Sequence, residues 1–271
     1  MLSDMAEILH YLDAQMETPA PYGVFHLCAF ALVILVTVLL CVFGRNAKDR
    51  AFRRICLTAW VILILFETYK QINFSFNYNG GEPCWDYQWY AFPFQLCSAP
   101  IYILPFVFLS KEGSAVRLST VAFMATYVLF AGAAVMFYPV SVFVTTIGIN
   151  IQTMVWHGTQ VILGCFFLTR YRKQLSARFF VRGAVVFLLM VGAAMALNML
   201  IPSFTDETFN MYYISPKFPS TLPILSMLYG EQPVIPWWLF FALYLVGYTI
   251  AALIVFFAAK LLAGCWKKNK V

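Results

Sequence analysis

Charge is scarce in this sequence. Asp, Glu, Lys and Arg make up 11% of its 271 residues, against about 25% in an ordinary soluble domain. With 62% hydrophobic residues and a mean hydropathy of +0.78, a water-facing surface cannot be assembled. That excludes a large-cored soluble enzyme and predicts an all-α, polytopic membrane protein. The 7 cysteines include no CxxC pair, so neither a zinc signature nor a disulfide framework is present, and no metal or cofactor is expected. A basic n-region of the signal-peptide kind is missing from the N-terminus. No internal repeat and no soluble domain can be found.

What is there is a series of seven apolar segments, at 24–43, 54–72, 91–109, 116–137, 146–169, 180–200 and 236–262. Each is long enough to cross a hydrocarbon core of about 30 Å at 1.5 Å per residue. Before them, Leu2, Met5, Leu9, Leu12 and Met16 recur at helical spacing among Asp4, Glu7, Asp13 and Glu17. That pattern predicts a surface-lying amphipathic helix within residues 1–22, with a frayed acidic tail as the alternative. The expected division is this segment, a transmembrane domain over 23–263 and a basic tail over 264–271.

The few charges are segregated. Of the 18 basic residues, 16 lie in the connections between segments 1 and 2, 3 and 4, and 5 and 6, or near the C-terminus; the exceptions are Lys70 and Lys217. Nine of the 12 acids lie on the other side. The positive-inside rule then predicts seven spans with the N-terminus out and the C-terminus in. The formal net charge of +6 is thereby a topology signal rather than a nucleic-acid footprint. Trp85, Trp89, Trp237 and Trp238 suit the outer interface, where the two long connections, 73–90 and 201–235, also fall.

Polar residues inside the segments concentrate in the expected outer half. Cys97 falls about 9 Å and His157 about 16 Å below the outer boundary. Glu67 and Lys70 are i, i+3 neighbours able to pair, and Gln71 adjoins them. Asn150, Thr153, His157 and Gln160 share one helix face, which should point into the bundle. His26 opens segment 1 and Asn198 closes segment 6. Taken singly, Cys97 reads as a small packing residue, His157 and the asparagines as interhelical hydrogen-bond formers, and Glu67–Lys70 as a structural or snorkelling pair. Taken together they suggest an outward-opening polar site. There a cysteine with an imidazole base could attack a lipid ester to give an acyl-thioester. Gln95 or Asn198 would supply a donor to the oxyanion.

The stretch Phe92 to Pro100, FPFQLCSAP, resembles the Leu-Pro-Leu-His-Leu-Cys stretch of the YwaF-like integral membrane proteins, bacterial relatives of transmembrane protein 164. PYGVFHLCAF with His26, MVWHGTQVIL with His157, and the segment from Asn198 through Asn210, Met211, Tyr212 and Tyr213 follow in the family's order. The resemblance covers about residues 20–262. It implies movement of fatty acyl chains between phospholipids, with Cys97 as nucleophile, His157 as base, and Asn210 and Tyr212 in support. Two residues depart from the pattern: Gln95 stands where relatives often carry His, and Ser98 where the eukaryotic branch carries His. Any imidazole must therefore come from His157 or His26.

The expected function is a lipid acyltransferase or transacylase of a bacterial plasma membrane, acting on phospholipids or lysophospholipids in the outer leaflet. The alternatives are a lipid hydrolase with the same Cys–His site, and a non-catalytic transporter or receptor with an outward polar pocket around Glu67 and Lys70. No inverted repeat of the transporter kind is visible.

Overall fold

The computed structural model describes residues 8–79, 82–205 and 207–268. Six helices are long and apolar enough to cross a membrane: Val24–Gly44, Asp49–Ser75, Ala115–Phe137, Ile147–Arg170, Ala177–Ser203 and Trp237–Ala263. They correspond to six of the seven apolar segments. Within them, α1 is Val24–Leu39, followed by a π turn at Leu40–Gly44, and α2 is Asp49–Ser75. A second π turn, Met124–Val128, joins α4 (Ala115–Phe123) to α5 (Leu129–Phe137). α6 is Ile147–Arg170, α7 Ala177–Leu200, α8 the short Ser226–Tyr229, and α9 Trp237–Lys268.

The third apolar segment is built differently. A 3₁₀ turn at Leu96–Ser98 leads into α3, Ala99–Leu109, so the helix covers only Leu96–Leu109. At 1.5 Å per residue that is about 21 Å, short of a full core. Pro93 is the cause on the N-terminal side. It lacks an N–H and pushes the residue before it out of the α region, and Phe92 has φ −50°, ψ 132°. The expectation that Cys97 lies six helical residues inside a span is therefore corrected: Cys97 sits at the start of a helix. Pro105 lies inside α3 and cannot donate to the Ile101 carbonyl four residues back. Trp60 of α2 supplies the missing donor, Nε1 to Ile101 O at 2.7 Å.

Burial separates centre from periphery. The most apolar windows of Ala115–Phe137 and Ile147–Arg170 are 67% and 61% buried, against 11% for Val24–Gly44. The first two are the pillars of the bundle and α1 is an outer stave. Tyr127 of the π turn stacks on Phe187 of α7 with ring centroids 4.4 Å apart.

One end of the bundle carries the basic connections. There Asp49, at the start of α2, takes Arg53 Nε at 2.6 Å and also Nη1 of Arg117, which is fully buried. Both guanidinium groups then cap the end of α3. Arg53 donates to the carbonyls of Phe108 and Ser110 at 2.6 and 2.7 Å, and Arg117 Nε to Val107 O at 2.9 Å. Phe52 lies against Arg117 and Arg170, 5.0 and 4.7 Å from its ring centroid.

At the other end, the described part of the N-terminal segment is not a continuous amphipathic helix. Residues 8–12 form a short helical stretch, and beyond it the chain pairs with residues 145–147. Met16 N–H donates to Thr145 O at 2.7 Å and Ile147 N–H to Ala14 O at 2.9 Å. The expected helix over residues 1–7 lies outside the described residues. Tyr69 Oη reaches Leu12 O at 2.7 Å through space that a side chain at Gly148 would fill, a Cβ there lying 2.0 Å from that oxygen. The connection after α2 contains a feature outside the all-α expectation, an antiparallel hairpin of β1 (Phe76–Asn79) and β2 (Glu82–Trp85) with Phe76 opposite Trp85. At the C-terminus the expected basic tail continues α9 as far as Lys268, and residues 269–271 lie outside the described residues.

Replacing Arg117 with Met leaves the Val107 carbonyl without its donor and Asp49 with one guanidinium fewer. Losing one partner of a buried ion pair costs about 3 kcal/mol or more, so a thermal melt of purified Arg117→Met should fall well below that of the parent. Trp60→Phe, which removes a single donor worth about 1 kcal/mol, should lower the melt by a much smaller step.

Candidate functional site

The break before α3 puts Cys97 where helix geometry leaves backbone groups without intrahelical partners. The first N–H groups of a helix have no acceptor within it and form the positive end of its dipole. Cys97 is the middle residue of the opening 3₁₀ turn, in which Ser98 N–H donates to Gln95 O at 2.8 Å and Ala99 N–H to Leu96 O. Its carbonyl is also outside the regular ladder, and two side chains of α6 reach it. Trp156 Nε1 and Gln160 Nε2 each donate to Cys97 O at 2.8 Å. They are i, i+4 neighbours on one helix face, so Cys97 is fastened between two turns of α6, about 14–20 Å along that helix from Ile147. Gly132 of α5 lets that contact form. A Cβ at Gly132 would lie 2.6 Å from Gln160 Cβ and 2.9 Å from His157 O.

His157 belongs to the same stretch of α6 and is buried. Its Nδ1 lies 2.8 Å from Thr153 O. A carbonyl can only accept, so the proton sits on Nδ1, and Nε2 carries the lone pair. No hydrogen bond joins His157 to the Cys97 thiol among the described residues. The Cys97 carbonyl is bonded by Trp156 and Gln160, which flank His157 in sequence on α6. The stripe Asn150, Thr153, His157, Gln160 is buried along its length, as its spacing predicts, but its members act separately. Asn150 closes the loop before α6 through Val144, accepting from its N–H at 2.9 Å and donating to its carbonyl at 2.7 Å.

Glu67 and Lys70 form the expected pair, Nζ to Oε1 at 2.7 Å. Gln71 Nε2 bonds the same carboxylate oxygen at 2.7 Å and Ala91 O at 2.8 Å. Lys70 lies within electrostatic range of both Cys97 and His157. Glu67 Oε2, Gln71 Oε1 and Gln160 Oε1 are buried acceptors without a hydrogen-bond partner. Burial first, and then the Glu67 carboxylate, push the Tyr87 phenol in the adjoining connection above its ordinary value.

Gln95, Asn198 and Asn210 all bond backbone groups of the connection after α7. Gln95 Nε2 donates to Asn210 O at 2.9 Å and its Oε1 accepts from Tyr212 N–H at 2.7 Å. Asn198 Nδ2 donates to Met211 O at 2.9 Å and its Oδ1 accepts from Met211 N–H at 2.6 Å. Asn210 Nδ2 donates to Pro219 O at 2.9 Å, and its Oδ1 accepts from Ser215 N–H at 2.9 Å. Three amides thus hold the turn at Met211–Tyr213, where Tyr212 and Tyr213 have φ of 58° and 57°. In Gln95 and Asn198 the amide oxygen and one amide N–H are thus committed to backbone. The same turn carries Tyr212, buried with its hydroxyl unpartnered. Trp89 N–H reaches Glu207 Oε2 at 3.2 Å, and Phe92 packs on Phe209 with centroids 5.6 Å apart. The two long connections therefore join as a roof beside Cys97.

His26 stands elsewhere. Its Nδ1 accepts from Tyr22 N–H at 2.9 Å and its Nε2 faces Met136 O at 2.8 Å. Both nitrogens are engaged, so no lone pair is left for a proton, and the ring packs among Phe30 and Phe143. Trp156 and Gly132 are the site residues that sequence reasoning missed. The i, i+4 relation of Trp156 to Gln160 was available as a signal, whereas Gly132 carried none. Among the described residues no group of side chains could hold a metal ion.

The sequence model of the TMEM164 family matches residues 21–260, which takes in five of the six long helices whole, most of the sixth, and the turn at 210–213. No curated protein and no solved structure matches the chain. The protein is an integral, multi-pass, helical membrane protein, and it belongs to the TMEM164 family.

Proposed function

We propose that the protein is a membrane-embedded lipid acyltransferase, with Cys97 as nucleophile and His157 as base, in a seven-segment arrangement with the N-terminus outside and the C-terminus inside. The observation that carries this reading is the fastening of Cys97, at the start of a helix, to the turn of α6 that holds His157 with Nε2 unprotonated. Segregation of the basic connections to one end supports the orientation. The thiol would then lie in the half facing the outer leaflet, beneath the roof of the two long connections.

The chemistry follows from those groups. His157 Nε2 takes the thiol proton, directly or over one water. The thiolate adds to the carbonyl carbon of a lipid ester near the start of α3, where the positive end of the helix dipole favours the developing oxyanion. The tetrahedral species collapses to an acyl-thioester. The lysolipid oxygen leaves with the proton held by His157. A hydroxyl of a second lipid then gives its proton to Nε2 and attacks the thioester, and the Cys97 thiolate departs and is reprotonated. Lys70, near both groups, offers a cation to the lipid phosphate. The roof keeps bulk water from the thioester, which favours transfer over hydrolysis.

Incubation of purified protein with phospholipid carrying a labelled acyl chain, plus an unlabelled lysophospholipid, tests this. The parent should show a labelled, hydroxylamine-sensitive adduct and labelled acceptor lipid; Cys97→Ala should show neither. Turnover undiminished in Cys97→Ala would falsify the reading, and free fatty acid without acylated acceptor would mark a hydrolase instead. His157→Ala should lower the rate roughly 10²–10⁴-fold, the range of general acid–base catalysis, with the melting temperature little changed. Gly132→Ala pushes directly on Gln160 and His157, so it should reduce transfer while adding no group to the lipid path; unaltered kinetics would show that the grip on Cys97 O is dispensable.

A further inference from the structure

A polar group buried without a partner calls for an explanation, and a catalytic role is one of the few available. The Tyr212 hydroxyl is such a group. Its side chain is 1% exposed, and among the described residues the hydroxyl has no hydrogen-bond partner. It lies within electrostatic range of the Cys97 thiol. The residues leading into Cys97 hold Tyr212 in place. Gln95 Oε1 accepts its N–H at 2.7 Å, and its ring lies 6.2 Å from that of Phe94, centroid to centroid. Its φ of 58° is one that bulky residues rarely adopt. Tyr213 and Tyr248 come within the same range of Cys97 but are less deeply buried.

We infer that Tyr212 is a catalytic residue, its hydroxyl donating a hydrogen bond to the oxyanion formed when Cys97 adds to the lipid ester. This rests on the acyl-transfer reading and adds a donor to it. A helix dipole favours negative charge without fixing where it sits, whereas an O–H fixes it, at about 2.7–3.1 Å from the oxygen. No proton changes hands. As the carbonyl π pair moves onto oxygen, the phenol hydrogen bond strengthens; when the pair returns and the lysolipid oxygen leaves, it relaxes. Burial first, and then the neighbouring Cys97 and Tyr248, push the phenol well above its ordinary value, so it keeps its proton at neutral pH. In the resting protein a buried hydroxyl without a partner has lost its hydration and gained nothing. The oxyanion ends that deficit, so the interaction is stronger in the transition state than before it, as catalysis requires.

Tyr212→Phe removes this oxygen and nothing else. With labelled phospholipid and a lysophospholipid acceptor, kcat should fall roughly 10²–10³-fold, the loss for one oxyanion donor, with KM little changed. The melting temperature should equal or exceed the parent's, because the deleted hydroxyl bonds nothing in the resting protein. Tyr212→3-fluorotyrosine, which retains the O–H, should restore the rate. Alkylation of Cys97 by iodoacetamide, read by mass spectrometry of its peptide, is a substitution that develops no oxyanion. It should run at the parent's rate in Tyr212→Phe. An unchanged kcat overturns the inference, the outcome for a hydroxyl that merely binds a water. A parallel loss of alkylation overturns it by making the phenol an activator of the thiol. A melt well below the parent's does so by showing a structural role, and an equal fall in kcat for Tyr213→Phe by removing the distinction of Tyr212. Full activity in Tyr212→Phe beside an inactive Cys97→Ala sinks this inference alone, whereas turnover in Cys97→Ala sinks the acyl-transfer reading with it.

Discussion

A carbonyl that leaves a helix within a membrane has no water to turn to, and each such group left unpaired costs several kcal/mol. Much of this structure answers that constraint along one segment. The third apolar segment is broken by Pro93 at one end and carries Pro105 inside, so its carbonyls need donors from elsewhere. Trp60 supplies one at Ile101. Arg53 and Arg117 supply the last ones, at Val107, Phe108 and Ser110. Trp156 and Gln160 supply two at Cys97. The segment is short, irregular and surrounded, and its neighbours on α2, α4 and α6 are fixed in rotation and depth by the hydrogen bonds they give it.

The two ends of the bundle meet that demand by different means. At the basic end a carboxylate is required as well as donors, since two guanidinium groups side by side would repel. Asp49 lies between Arg53 and Arg117 and makes their proximity tolerable. At the opposite end no charge caps α3. Side-chain amides take over, with Gln95, Asn198 and Asn210 gripping the turn at Met211–Tyr213. Amides carry donor and acceptor together, so each can hold a backbone N–H and a backbone C=O at once. That suits a roof made of loops, where N–H and C=O groups alternate without a ladder to absorb them.

This explains which parts of the molecule could be read from its sequence. Apolar runs and segregated charge declare the long helices directly, because length and hydropathy are local properties. The Glu67–Lys70 pair and the buried stripe through His157 follow from helical spacing, another local rule. The hold of Gln95 and Asn198 on the turn at Met211–Tyr213 did not follow, since an amide in an apolar run looks the same whether it awaits a substrate or holds a loop 13 or 117 residues away. Arg117 reads as one more topology charge, although it is fully buried, because its partner Asp49 is 68 residues distant. Gly132 is invisible for the same reason: its value lies in what it leaves room for on α6. His26 and His157 are equal candidates in sequence, and only the count of occupied ring nitrogens separates them.

The placement of Cys97 then has a physical logic of its own. A regular span would bury its N–H groups in the helical ladder and leave the thiol in a medium hostile to its ionised form. Starting the helix at Leu96 places Cys97 near the positive end of the α3 dipole, which favours negative charge. The same break frees the Cys97 carbonyl, which Trp156 and Gln160 of α6 then bond. One proline-directed interruption thus sets both the position of Cys97 at a helix start and its tether to α6. Its stability depends on how fully the surrounding helices satisfy what the interruption uncovered.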